Sequence, residues 1–479
     1  MNRNPAAELG AAPRAPGWGD LLWGVNLLRS LALTGGVALH AVNLYVSTTI
    51  LPSVVRDIGG LDYYAWNTTV YVVASIIGAA ISARLLTRCG PRAAYALAAL
   101  VFALGALLCA AAPSMPAMLV GRGVQGLGGG MLVALPYALT RIVFPQALWP
   151  RAMAMISGMW GIATLLGPAL GGIFAELAIW RAAFWSLIPI IAVFTLIAAL
   201  ALPKREAEPA PYSPLPARQL ALLTAAVLAA STASVSGQLG WSLAALALAG
   251  LLLAAIVHAD AHSPRRLLPR GSWRVSTPLG ALYAMSSLLA VTVNCTEIFM
   301  PLFLQTLHGH SPLWAGYITA LLSVGWTAGS LLSSGLRGRR LVATLRTAPA
   351  LSLLSLLMLA LLIPWPGANS MGLLLITCLT LVASGLAVGL AFPALAARVL
   401  HAAPDDERDL AASSIMTVQL VAVAFGAALA GLTVNLAGLP ATGGDMDTAN
   451  AARWLFIVLL LAPALCLRLL WKRADGIAG

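Results

Sequence analysis

GIATLLGPALGG, Gly161 to Gly172, sets one proline and four glycines in a short, mainly apolar stretch. Pro168 removes the helix hydrogen bond to the Thr164 carbonyl and kinks the helix, while the glycines clear one face for close packing. Such a helix needs a neighbour pressed against it. The surrounding residues, 152–177, are long and apolar enough to cross a bilayer, which takes roughly 20 apolar residues. The same length applied along the chain gives fourteen spans, near 31–55, 66–86, 93–112, 116–143, 152–177, 182–202, 219–236, 239–258, 276–306, 314–335, 342–363, 371–400, 411–437 and 452–470.

Composition agrees. Of 479 residues, 60% are hydrophobic and 9% charged, with a mean hydropathy of +0.89. Soluble domains use roughly 45–50% apolar and 25% charged residues, so an all-α integral membrane protein is expected. The net charge of +12 would suggest nucleic acid only if it formed one patch on a polar domain. The basic residues instead fall in short clusters between apolar runs, and no nucleic-acid partner is expected. The five cysteines show no CxxC pair and no metal-ligand spacing, so neither a metal site nor a cofactor is expected. Residues 1–28 read as a disordered tail without a signal-peptide core.

The Lys/Arg distribution tests the span count. With both termini cytoplasmic, 24 of the 28 basic residues fall inside, Arg56, Arg181 and Arg453 fall outside, and Arg122 lies within a span. That asymmetry supports an even number of spans, in a bacterial inner membrane. Tyr63, Tyr64 and Trp66 fit an aromatic belt. Two polar stretches divide the chain into six, two and six spans: a bundle over 29–203, a linker over 204–218, two additional spans over 219–258, a linker over 259–275, a second bundle over 276–473 and a tail over 474–479.

The bundles correspond weakly. TRCGPR after span two matches LRGRR after span ten, and small residues recur every fourth position: Ala74, Gly78 and Ser82 in span two, Gly325, Gly329 and Ser333 in span ten, Gly167 and Gly171 in span five, Ala422, Gly426 and Ala430 in span thirteen. Such stripes let backbones approach closely. Two bundles meeting along them, with a substrate site between, is the expected architecture. The plainer reading is that any alanine-rich membrane helix yields such stripes.

These features resemble the major facilitator superfamily, and more narrowly its fourteen-helix drug:proton antiporters. Gly161, Gly167, Pro168, Gly171 and Gly172 match the antiporter motif GxxxxxGPxxGG, which implies a kink that seals one side against proton leak. ILPSVVRDIGGLDYYAW (Ile50 to Trp66) is similar to the segment joining spans one and two. LVGRGVQGLGGG resembles the fourth-span motif, carried at Arg122, Gln125 and Gly126, and WRAAFWSLIP (Trp180 to Pro189) the opening of span six. The resemblance thins in the second half. Two departures stand out. The loop motif GxLaDRxGRR keeps Arg88, Gly90 and Arg92 but has Thr87 at the acidic position. Where the family often places an aspartate, nine residues before Pro52, the chain has Asn43.

Charged residues within spans are costly and usually functional. Glu297, in TVNCTEIFMPLFLQ, shares a helix face with Asn294 and Pro301. A carboxyl at such depth suits proton loading and release near neutral pH; the alternative is a protonated structural carboxyl, or one wetted from outside. Arg122 stays charged. The resemblance implies that it hydrogen-bonds the span-one backbone and biases a nearby acid; a purely structural anchor is the alternative. His40 reads as a packed core histidine. The cluster Asp405, Asp406, Glu407 and Asp409 reads as a solvated loop. Asn43, Gln125, Tyr71, Trp160, Asn294, Phe299, Trp326, Phe392 and Gln419 are candidates to line a cavity for flat apolar cargo.

The expected function is proton-coupled export of small amphipathic molecules by alternating access, by a monomer whose partners are substrate, protons and lipid. The rivals are a transporter dedicated to one metabolite, such as a siderophore or biosynthetic product, and a non-transporting membrane sensor or scaffold. No nucleophile arrangement, HExxH or paired catalytic aspartates suggests an enzyme.

Overall fold

The computed structural model describes residues 19–204, 217–235, 239–263, 266–333, 336, 338–365, 370–404, 407–439 and 445–472. Within lipid every backbone polar group must be satisfied inside its own segment, and these apolar sequences meet that demand as helices. Thirteen helices among the described residues are long and apolar enough to cross a membrane. One of them crosses twice. Tyr64–Ala110 would extend about 70 Å as a straight helix, over twice the hydrocarbon thickness, and it breaks at Gly90, whose φ of 79° and ψ of 169° are non-helical. Only glycine adopts that φ readily, and Pro91 then starts span three with its φ already set for a helix. Fourteen spans result.

Span one is Gly24–Ile58, span four Met115–Val143, span five Trp149–Glu176, and span six Leu187–Ala201 after a short helix Arg181–Trp185. The additional pair is Ala217–Val235 and Leu239–His262. Spans nine to thirteen are Pro278–Thr306, Pro312–Ser333, Gly338–Leu362, Met371–Ala402 and Arg408–Leu436. Span fourteen is made of two pieces, Asp445–Leu459 and Leu461–Lys472, and starts seven residues earlier than its apolar run suggests. Thr277 caps span nine by accepting the Gly280 N–H at 3.1 Å, with Pro278 in the first turn.

Two sequence expectations are corrected at the ends of elements. Residues 19–22 are helical rather than tail, and the Ser30 hydroxyl bonds the Leu21 carbonyl at 3.0 Å; residues 1–18 lie outside the described residues. Span eight runs on to His262, four residues past its expected end at 258. Asp260, 2% exposed, accepts the Leu267 N–H and the Trp273 indole N–H, the latter at 2.8 Å.

Each half is held by glycine contacts that repeat between them. A Cβ on Gly78 of span two would collide with the Leu127 carbonyl of span four; a Cβ on Gly325 or Gly329 of span ten would collide with the Val382 or Leu386 carbonyl of span twelve. Gly426 of span thirteen packs on Val291 and Cys295 of span nine. These stripes therefore glue spans within a half, not the halves to each other as their spacing suggested. Between halves the main packing is span five on span ten and span thirteen on span two, a pairing that exchanges equivalent helices and so follows a pseudo-twofold relation.

Candidate functional site

Named links between the halves gather where span one ends and span two begins, here termed the Asp57 end. Asn435 of span thirteen donates to the Asp62 carbonyl at 2.9 Å and to the Ser234 carbonyl of span seven at 2.8 Å. The Trp66 indole donates to the Ser231 carbonyl at 2.9 Å. Span seven thus touches both halves here. Beside this closure, Arg181 pairs with Asp57 and donates to the Ala112 carbonyl, while Trp180 donates to the same Asp57 oxygen at 3.1 Å. The segments Ile50 to Trp66 and Trp180 to Pro189 are therefore one assembly.

The glycine–proline stretch meets the second half at one end only. A Cβ on Gly172 would lie 2.5 Å from Leu313 Cα across the half boundary, and one on Gly316 would lie 2.9 Å from both Pro168 Cβ and Thr49 Cγ2. Gly167 and Gly171 pack on Tyr45, Val46 and Thr49 of span one. One and a half turns away, Gly161 has no neighbour within 4 Å of such a Cβ, and neither does Gly158. Span five is pinned across the half boundary at its Asp57 end, while toward the other end the face carrying Gly158 and Gly161 is open and the opposite face, with Ala152 and Ile156, is buried.

At mid-depth Tyr45 reaches across. Its hydroxyl lies 3.0 Å from Ser323 Oγ of span ten, and the Thr164 hydroxyl and the Glu297 carboxyl also face it. Glu297 keeps one oxygen, Oε1, without a partner. Asn294 spends its amide N–H on the Ala290 carbonyl at 2.8 Å. Spans one, five, nine and ten meet at this point.

A second polar cluster lies wholly in the first half. Arg122 is fully buried. Nη1 donates to Gln125 Oε1 at 2.7 Å, Nε donates to the Asn67 carbonyl at 3.3 Å, and the guanidinium sits 4.1 Å from the Tyr71 ring centroid. Gln125 Nε2 donates to Asn43 Oδ1 at 2.9 Å. Arg122 therefore meets the backbone of span two; it reaches span one only through Gln125 and Asn43, which corrects the expected span-one contact. His40 Nδ1 is 2.9 Å from the Tyr71 hydroxyl, and the Trp160 ring stands edge-on to His40. Arg122 and Glu297 share no partner among the described residues.

The sequence model described as Major Facilitator Superfamily matches residues 33–427. A probable multidrug-efflux transporter of Mycobacterium tuberculosis is 37% identical over 452 residues, spanning 93% of this chain and 94% of that protein. The chain belongs to the Major Facilitator Superfamily. The multidrug transporter protein MdtP of Bacillus subtilis is 24% identical over 428 residues, 85% of this chain and 75% of that one. A POT family transporter in complex with a thioalcohol conjugated peptide superposes with a TM-score of 0.66 at 15% identity, covering 94% and 97% of the two chains. The nucleoside transporter NupG gives 0.61 at 13% identity, covering 92% and 100%. Those two likenesses show the fold alone.

The remaining candidates fall in varied places on this superfamily fold. Phe299 is buried, stacked between Tyr64 of span two and Phe303 at 5.3 and 6.1 Å between centroids; in this conformation it packs the contact between halves. Trp326 is half-buried against Phe392, and Gln419 is half-buried on span thirteen. In the loop after span two, Arg92 donates to the Leu202 carbonyl from Nε and Nη2 at 3.3 and 3.1 Å, Gly90 makes the turn, and Arg88 is exposed. Glu407 pairs with Arg270 at 3.1 Å and so is not part of a solvated run; Asp405 and Asp406, and the Asp409 side chain, lie outside the described residues. Tyr45 and Asn67 escaped sequence reasoning. The signal was the polar density of span one, HAVNLYVSTT from His40 to Thr49.

Proposed function

We propose that this superfamily member exports small amphipathic, drug-like molecules against their gradient, driven by proton entry and working by alternating access. A relative described as a probable multidrug-efflux transporter and another described as a multidrug transporter protein match it over most of its length, and its family supplies the two-body architecture that this cycle needs. The moving bodies are residues 29–203 and 276–473, with 219–258 riding between them. Both termini lie in the cytoplasm on this reading, supported by the excess of basic residues on one side, and the bacterial relatives support an inner membrane. The Asp57 end then faces outward and is closed, and cargo enters from the side where Gly158 and Gly161 are free. The protein acts as a monomer and catalyses no covalent chemistry.

The observation that carries this reading is the position of Glu297, an acid at mid-span on the half boundary, with the Tyr45 hydroxyl before it and one oxygen unpartnered. A carboxyl there changes partners whenever the halves part, so its protonation is tied to conformation. Arg122 adds a fixed positive potential in the first half. Everted vesicles test the reading: Glu297→Gln should abolish pH-driven accumulation of lipophilic dyes, and unimpaired accumulation would remove Glu297 from the coupling role.

A further inference from the structure

Arg122 brings a full positive charge into the first half, yet no carboxylate among the described residues pairs with it. Around it runs a closed ring of contacts. Arg122 donates to Gln125 and to the Asn67 carbonyl, Gln125 donates to Asn43, and Ser47, one turn from Asn43, donates to Asn67 Oδ1 at 3.1 Å. Asn43, Gln125 and Arg122 are 0% exposed and Asn67 is 1% exposed.

The polarity of the Gln125–Asn43 branch is fixed by its charged member, and Asn67 is oriented by the Ser47 hydroxyl. Arg122 can only donate, so Gln125 must turn its oxygen toward it and its NH₂ toward Asn43, which in turn must offer Oδ1. The three amide side chains of the ring thereby each accept at least one bond through their oxygens. The Cys109 thiol adds a further donor toward Gln125 Oε1 at 4.0 Å. Donors remain over. Arg122 Nη2 and Asn67 Nδ2 have no acceptor, and Asn43 Nδ2 faces the Tyr71 hydroxyl without a well-formed bond. The Tyr71 face offsets part of the charge through its quadrupole, and of these donors its hydroxyl faces Asn43 alone, which leaves Arg122 Nη2 and Asn67 Nδ2 without a partner. Water would satisfy the N–H groups and leave the charge uncompensated, which is the costly part of burial.

We propose that the Arg122–Asn43–Asn67 ring binds a single monovalent anionic group, halide or carboxylate, whose charge answers the guanidinium and whose lone pairs take the spare N–H bonds. Arg122, Asn67 and Asn43 hold it, and Gln125 orients them. The source is either a free inorganic anion, acting as a structural counter-ion, or an acid group carried by the cargo.

The test is thermal unfolding of the full-length protein in zwitterionic nanodiscs, at constant ionic strength with bulky isethionate as background anion. Replacing isethionate by chloride, or by acetate, should raise the unfolding temperature by several degrees and saturably, since a ligand that binds only the native state stabilises it by mass action. A response to chloride alone identifies an inorganic counter-ion; a response to acetate alone identifies the acid group of a cargo; a response to both identifies a site that selects charge over shape. Asn43→Asp places a carboxylate in the ring and should weaken the saturable response at least ten-fold, as should Arg122→Gln where that variant folds. Absence of a saturable response to both anions in the unmodified protein, or an unaltered response in Asn43→Asp, overturns the proposal. The readout is stability, so it holds or fails separately from the transport assay of Glu297→Gln.

Discussion

The Tyr45 hydroxyl lies 3.0 Å from Ser323 Oγ, so a residue of span one holds the opposite half at the depth of the single mid-span acid. Parting the halves must break this contact and change what faces Glu297. Tyr45→Phe keeps the ring and its packing and removes only the hydroxyl. We expect uphill transport to fall at least ten-fold while downhill counterflow persists, measured in parallel in the same proteoliposomes. Equal loss of both would show that Tyr45 merely holds the fold.

Gly172 and Gly161 belong to one sequence motif but should respond oppositely to a methyl group. Gly172→Ala puts a Cβ against Leu313 backbone across the half boundary, while Gly161→Ala meets open space. The first should populate states with the Asp57 end open; the second should leave that end closed. Distances between spin labels on Leu177 and Trp314, both exposed and on opposite halves, report the difference.

Asn435→Ala removes two hydrogen bonds that join spans two, seven and thirteen. At about 0.5–1.5 kcal/mol each, their loss should shift the open-to-closed ratio of the Asp57 end by roughly 5- to 160-fold. The same label pair should show a longer-distance population. An unchanged distribution would mean that closure rests on the span five and ten contact alone.

Gly90→Ala forces a side chain into φ 79°, ψ 169°, a region almost only glycine adopts, at a cost of about 1–3 kcal/mol. The unfolding temperature should drop by a few degrees, and Gly90→Asn should lose as much, because asparagine tolerates the left-handed helical region and not this one; recovery in Gly90→Asn would show that the turn relaxes to that region.

His308 sits in the connection after span nine, its ring bonded to the Ile363 carbonyl at 3.1 Å. Burial holds its imidazole below the ordinary histidine range, and His310 beside it adds to the shift, against the Ile363 carbonyl. A base whose folded-state value is depressed binds more protons when unfolded, so its stabilising effect is complete above the ordinary histidine range and is lost as pH falls through it. His308→Gln should flatten that acid-side loss in a pH series of unfolding temperatures; an identical slope would exclude His308 as its source.

The spans were legible because hydropathy alone fixes where a helix must cross, and the doubled helix Tyr64–Ala110 was resolved correctly by length. Arg122 and Glu297 were legible for a related reason, since a charge in lipid needs an explanation. Partners were not. Gly325 and Gly329 mark a face for close approach, but spacing does not tell whether span twelve or the other half fills it. Tyr45 passes as an ordinary amphipathic membrane residue until the fold brings Ser323 and Glu297 to its hydroxyl. Asp260 looks like a linker acid until the chain turns back and gives it the Trp273 indole.

Spans seven and eight leave the rest of the fold undisturbed for a reason of parity. A chain that crosses twice returns to the face it left, so Pro278 enters the bilayer from the same side as it would had Leu202 led straight into span nine. An insertion of one helix would have turned the second half upside down and set span ten antiparallel to its present course along span five. Even-numbered additions are therefore the only ones this two-body arrangement can accept between its halves, and the pair that was accepted lies where it can grip both of them.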